Sequence, residues 1–111
     1  MSENDLISKI LNALVEPVIV VSSNRYLIAI NAAAQEIFNG GAVGADLSLT
    51  LRHPSVLRAF ADVMAGMDKV SVPLTLKMPL PTTFRMTATR LKNAKSAFGE
   101  NNDPAVVMSF N

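Results

Sequence analysis

The chain has 111 residues, half of them apolar and 17% charged, with a formal net charge of +1. That is the length of one domain able to bury a core without staples. It holds no cysteine and one histidine, which excludes disulfides, thiolate zinc sites, cysteine nucleophiles and any metal site of several histidines; so small a net charge gives no argument for nucleic acid.

The first residues carry Glu3 and Asp5, which do not suit a signal peptide. The apolar stretch near the N-terminus is cut by Glu16-Pro17, short of the ~18 residues a membrane span needs. Residues 2–15 read as an amphipathic helix, with Leu6, Ile7, Ile10, Leu11 and Leu14 recurring on one face. Ser2 and Asp5 have capping-box spacing, and Pro17 ends the helix because the residue before a proline is pushed out of the α region.

Val18 to Val21 and Tyr26 to Ile30 are β-branched or apolar runs around the polar turn Ser22-Ser23-Asn24-Arg25, the pattern of a hairpin. The second strand runs without a linker into Asn31, a strong N-cap for the alanine-rich helix behind it. Asn39-Gly40-Gly41 is expected to stop that helix. Leu47, Leu49 and Leu51 lie in a piece too short to assign. Pro54 suits a first helical position, and Val56, Leu57, Phe60, Ala61, Val63 and Met64 follow at helical spacing up to Gly66.

The last third reads as β. Val70, Val72, Leu74, Leu76 and Met78 alternate with polar residues, a half-buried strand; Pro73 within it prefers an edge or a bulge. Pro79-Leu80-Pro81 is expected to form the turn. Phe84, Met86 and Ala88 alternate in the next strand, and the alternation is expected to break at Arg90-Leu91, at a bulge or the strand's end. Residues 93–103 read as a polar, mobile connection before a last apolar strand from Ala105 to Phe110. Lys69, Lys77, Arg85, Arg90, Lys92 and Lys95 come without an acid among them, the mark of a solvated basic sheet face more than of an acidic-partner surface. Segregated helix and strand runs argue an α+β antiparallel sheet, with residues 1–15 as a flanking helix and 16–111 as the domain proper.

This order of strand, strand, helices and three strands, with Ile30-Asn31-Ala32-Ala33 at the second junction, resembles a PAS domain. The resemblance covers roughly residues 6–110 and implies a five-stranded antiparallel sheet with helices on one face. Leu51-Arg52-His53-Pro54-Ser55-Val56-Leu57 and the strand Ala105-Val106-Val107-Met108-Ser109-Phe110 are most similar to PAS domains of phosphate-regulon-type sensor histidine kinases. One departure is the turn before the second strand, where the family usually carries Asp-Gly and this chain has Asn24-Arg25; Asn can hold the left-handed turn. The resemblance implies a cytoplasmic, bacterial signal-transduction module in a two-component phosphorelay. This chain itself would be no enzyme, its kinase core would lie outside it, and membrane anchorage of the parent is left open.

The same resemblance makes the stripe Leu6, Ile7, Ile10, Leu11 and Leu14 a candidate dimer interface, equally open to packing on its own sheet. Leu57, Phe60, Met64, Leu74, Phe84 and Met86 are candidates to line an apolar ligand cavity, although six methionines in the chain also suit an ordinary core. Asn31 is read as a structural cap. No cofactor is expected: His53 sits at the helix entrance, suited to capping more than to haem ligation, and cysteine-based flavin photochemistry is excluded. Gly40, Gly41 and Gly44 lack phosphate-loop spacing, no catalytic triad or metal site can be assembled, and basic strands without aromatics make a poor nucleic-acid platform. A small α+β isomerase-like enzyme is the reading from another class, and the inner faces offer it no buried acid or base.

Overall fold

The computed structural model describes residues 3–38, 42–78, 80–92 and 104–111, without the side chains of 3–5, 7, 8 and 78. The elements in chain order are α1 (Glu3–Ala13), β1 (Val18–Val21), β2 (Leu27–Ile30), α2 (Ala32–Ile37), α3 (Leu47–Thr50), α4 (Pro54–Met64), β3 (Lys69–Met78), β4 (Leu80–Leu91) and β5 (Ala105–Phe110). The strands form one sheet in the order β2-β1-β5-β4-β3, antiparallel throughout. The α+β class, the five strands and the helices between β2 and β3 are as the sequence indicated.

Period-two alternation splits the sheet into two faces. Ile19, Val21, Leu74, Met86, Val106, Met108 and Phe110 point to one face, where α2, α3 and α4 cover them through Ala34, Phe38, Leu47, Val56, Phe60 and Val63. Each Val, Leu, Ile, Phe or Met among them contributes roughly 1.5–3 kcal/mol when fully buried. Phe110 anchors this layer, with its ring edge-on to Phe38 at 5.0 Å and to Phe84 at 6.4 Å between centroids. On the opposite face Val20 and Ala105 form a smaller cluster with Ile28, Ala29, Leu91 and Val107, and Leu11 of α1 packs on it. The flanking helix therefore lies on the face away from α2 and α4.

Several local expectations are corrected. The first helix ends at Ala13, two residues short of the expected end at residue 15. The left-handed residue of the β1–β2 turn is Arg25, at φ 70°, not Asn24. Leu80 and Pro81 are not turn residues: they pair with Met78 and Lys77, so the β3–β4 hairpin is longer than the prolines suggested. Pro81 is tolerated because β5 pairs with β4 only from Met86 onward, leaving that stretch of β4 with one neighbour. No bulge interrupts the alternation at Arg90-Leu91; β4 ends at Leu91, the other outcome the sequence allowed. Leu91 joins the outer cluster, and Arg90 turns inward because its guanidinium finds a partner there: Nη1 donates to the Val63 carbonyl at 3.1 Å. The irregularity falls instead in the first hairpin, where the register shifts between Val20 and Val21 and leaves Ile28 as the extra residue.

Pro73 stands on the edge strand β3, where a missing N–H is tolerated. Gly66, at φ 131°, follows the C-cap of α4 as a helix stop. The Ser2–Asp5 capping box, the Asn39-Gly40-Gly41 stop, Pro79 and the connection 93–103 lie outside the described residues.

Candidate functional site

Asn31 is fully buried and uses the whole hydrogen-bonding capacity of its amide. Its Oδ1 accepts from the backbone N–H of Val18 at 2.9 Å and of Ala34 at 2.9 Å. Its Nδ2 donates to the carbonyls of Leu11 at 3.0 Å and Glu16 at 2.8 Å. Two N–H donors on one side and two carbonyls on the other permit a single amide orientation. The sequence identified Asn31 as the N-cap of α2, and the structure agrees. Its second role, donating to the Leu11 carbonyl in the last turn of α1 beside the Leu14 N–H, which reaches the same oxygen at 3.1 Å, was not legible. Neither was that of Asn12, whose Oδ1 accepts from the N–H of Ala32, the first residue of α2, at 2.8 Å. Nothing in the spacing of a polar residue on α1 marks it as a cap for a helix twenty positions on.

The apolar stripe of α1 divides. Leu11 is half-buried against the outer sheet face. Leu6, Ile10 and, just past the helix end, Leu14 are 52%, 56% and 46% exposed. They fall on one row of i, i+4 positions on the flank of the helix next to Leu11. The side chain of Ile7 lies outside the described residues.

At the far end of the first hairpin, Ser22 Oγ accepts from the N–H groups of Asn24 and Tyr26. Arg25 Nε donates to Asp46 at 3.1 Å. Asp46 caps α3 by accepting from the N–H and the hydroxyl of Ser48 at 2.9 and 2.8 Å. These Ser48 hydrogen bonds hold the Asp46 carboxyl below its ordinary 3.8; burial opposes them, and the Arg25 guanidinium adds a smaller lowering. The spacing Asp46-Leu47-Ser48 is an N-cap signal that could have been read in the sequence. His53 caps α4 through Nδ1, which accepts from the Ser55 N–H at 3.2 Å, the capping role expected of it.

The six cavity candidates gather between α4 and the β3–β4 hairpin. Phe60, Leu74 and Met86 are buried in the core, and Leu57, Met64 and Phe84 pack against it. A groove of 270 Å³ opens on the neighbouring surface, lined by Pro54, Ser55, Arg58, Ala59, Asp62, Val70 and Val72, none of those six. Its floor is apolar, and Arg58 and Asp62 on its rim stand one helical turn apart. Among the described residues no group of three or more metal-ligating side chains occurs, and no helix is long and apolar enough to cross a membrane.

No protein-family model matches the chain, and no curated protein does. Solved structures are similar to it. The PAS domain of nitrogen regulation protein NR(II) from Vibrio parahaemolyticus superposes with a TM-score of 0.68 at 18% identity, over 96% of each chain. The PAS domain of BvgS from Bordetella pertussis gives 0.66 at 9% identity, over 96% of this chain and 82% of that one. A Rhodobacter sphaeroides LOV protein gives 0.65 at 13% identity, over 98% and 66%. At such identities a likeness speaks for fold alone. With the strand order β2-β1-β5-β4-β3 and the Asn-capped junction of β2 with α2, it establishes that this chain has the PAS fold.

Proposed function

We propose that the chain is the sensory PAS module of a two-component sensor histidine kinase, acting by dimerisation and signal relay, with the kinase core outside it. In this reading it is cytoplasmic, bacterial and non-catalytic, and the phosphate-regulon type is the subgroup. The observation that carries it is the divided stripe of α1: Leu11 fixes the helix to its own sheet while Leu6, Ile10 and Leu14 are left exposed. A helix held through Leu11 with an exposed apolar row beside it suits packing against a second copy. The subgroup rests on Leu51 to Leu57 and the last strand. A regulatory protein among the structures of like fold agrees with the sensory reading.

Light scattering across a concentration series tests it. The expected result is a dimer for the wild type and a shift to monomer for Ile10→Glu and Leu14→Glu, with folding retained because both side chains are exposed. A wild-type chain that stays monomeric at every concentration sinks the dimer model.

The groove beside α4 favours a second reading, a small-molecule receptor. An apolar floor of Ala59, Val70 and Val72 with Arg58 and Asp62 at the rim suits a small amphipathic ligand. Native mass spectrometry after gentle purification, followed by a thermal-shift panel on wild type and Arg58→Ala, decides it. A ligand-free mass with no shift across the panel leaves the groove without a ligand.

A further inference from the structure

α1 and α2 lie on opposite faces of the sheet, and the sheet separates their side chains. Leu11 of α1 rests on the outer cluster of Val20 and Ala105; Ala34 of α2 belongs to the core on the other face. The two helices nevertheless share their terminal hydrogen bonds around the end of the sheet. Asn31 accepts from Ala34 of α2 and donates to Leu11 of α1, while Asn12 of α1 accepts from Ala32 of α2. The same Asn31 side chain holds Val18 N–H at the start of β1, and its backbone N–H donates to the Val18 carbonyl.

We infer that Asn12 and Asn31 form a latch that makes the docking of α1 and the first turn of α2 one cooperative unit, joined across the sheet. When α1 leaves the outer face, Ala32 loses its acceptor and the Asn31 amide loses the Leu11 carbonyl. The first turn of α2 then opens more easily, because its free N–H groups have no partner within the helix. By the same linkage, anything that orders the start of α2 on the inner face favours docked α1. A signal received by the inner-face helices would thus reach the outer-face helix with no rearrangement of the sheet. The functional meaning rests on α1 being the dimerising helix; the coupling itself does not.

Amide hydrogen exchange on the 111-residue chain, at a concentration where it is monomeric, tests the latch. Leu11→Ala removes packing on the outer face, and its side chain is not part of the latch. Asn12→Ala removes one latch hydrogen bond and leaves Leu11 in place. The latch predicts that either change speeds exchange in α1 and at Ala34 and Gln35 together, about five- to thirtyfold, with Thr87 and Thr89 of β4 unchanged. Faster exchange in α1 alone after Leu11→Ala, or in α2 alone after Asn12→Ala, overturns it. A uniform rise that includes β4 also overturns it, because the two helices then open only with the whole domain. If exchange is coupled but the chain never dimerises, the latch stands and the dimer reading falls.

Discussion

Arg25 occupies a backbone conformation that most side chains avoid, at φ 70°. The turn retains it because the neighbouring groups are fixed: Ser22 binds the N–H groups of Asn24 and Tyr26, the Arg25 carbonyl accepts from Leu47 at 2.8 Å, and its guanidinium meets Asp46. The ion pair is solvent-exposed and contributes at most about 1 kcal/mol. Arg25→Val, a β-branched side chain at positive φ, is expected to lower stability by about 1.5 kcal/mol or more. Arg25→Gly should stay within about 1 kcal/mol of wild type, since glycine accepts the conformation. Urea denaturation of the two variants checks this, and equal losses would show that φ is not the cause. Asp46 adds a pH dependence. Its folded carboxyl lies below 3.8, so the unfolded chain binds the proton more readily. The stabilisation is therefore full above the ordinary carboxylate range and is lost as pH falls through the folded value. Asp46→Asn keeps a good cap and removes the titration, so its melting temperature should fall less than the wild type's between pH 6 and pH 3.

At the scale of elements, α4 is fixed at both ends by side chains beyond its own span. His53 caps its first turn, and Arg90 from β4 binds the Val63 carbonyl in its last. The Arg90 N–H in turn donates to Asp68 at 2.8 Å, so the strand and the helix end are tied twice. Arg90→Met keeps much of the stem and loses the charged donor; it should cost about 1 kcal/mol, read from chemical denaturation. No loss would mean that the Gly66 N–H, which also donates to the Val63 carbonyl at 3.1 Å, satisfies it without Arg90. The two sheet edges are guarded differently. The segment after α2 covers β2: Leu27 N–H donates to Ala45, Gly44 N–H donates to Leu27, and Tyr26 bridges to Asp46. β3 relies on exposed Lys69, Pro73 and Lys77, charges and a proline that discourage pairing with another strand.

Over the whole molecule, the outer face shows why α1 belongs to the domain. Val20, Ala105 and Val107 would form an apolar patch without it, and Ala32 would lose its cap. A chain lacking residues 1–13 is expected to melt at a lower temperature and to scatter light from aggregates at concentrations where the full chain does not. Unchanged melting and clean solution behaviour would make α1 a separate appendage, as the division at residue 15 implied. The basic run divides in the same way. Lys69, Lys77 and Arg85 lie exposed on the polar half of the outer face, where Ser71 pairs with Thr87 and Thr75 with Thr83 through their hydroxyls. Arg90 leaves that group for a structural role.

The fold was legible because it rests on local rules. Period-two runs gave the strands, Pro17 and Pro54 bounded helices, and Asn31 between β2 and α2 carried the resemblance that ordered them. The errors also have local causes: Leu80 and Pro81 looked like a turn because proline avoids paired strands, and Arg90 suggested a bulge because a cation does not normally face a core. What tertiary structure alone decided is which polar groups meet. Asn12 with Ala32, Asn31 with Leu11 and Arg90 with Val63 are each separated by twenty residues or more. Their hydrogen bonds follow from how the chain returns on itself, and no pattern of period two or 3.6 encodes that return. The sequence by itself thus determined the elements and their order, through periodicity and capping. Only the folded molecule determined that one buried amide joins helices on opposite faces of the sheet, because a hydrogen bond depends on distance in space.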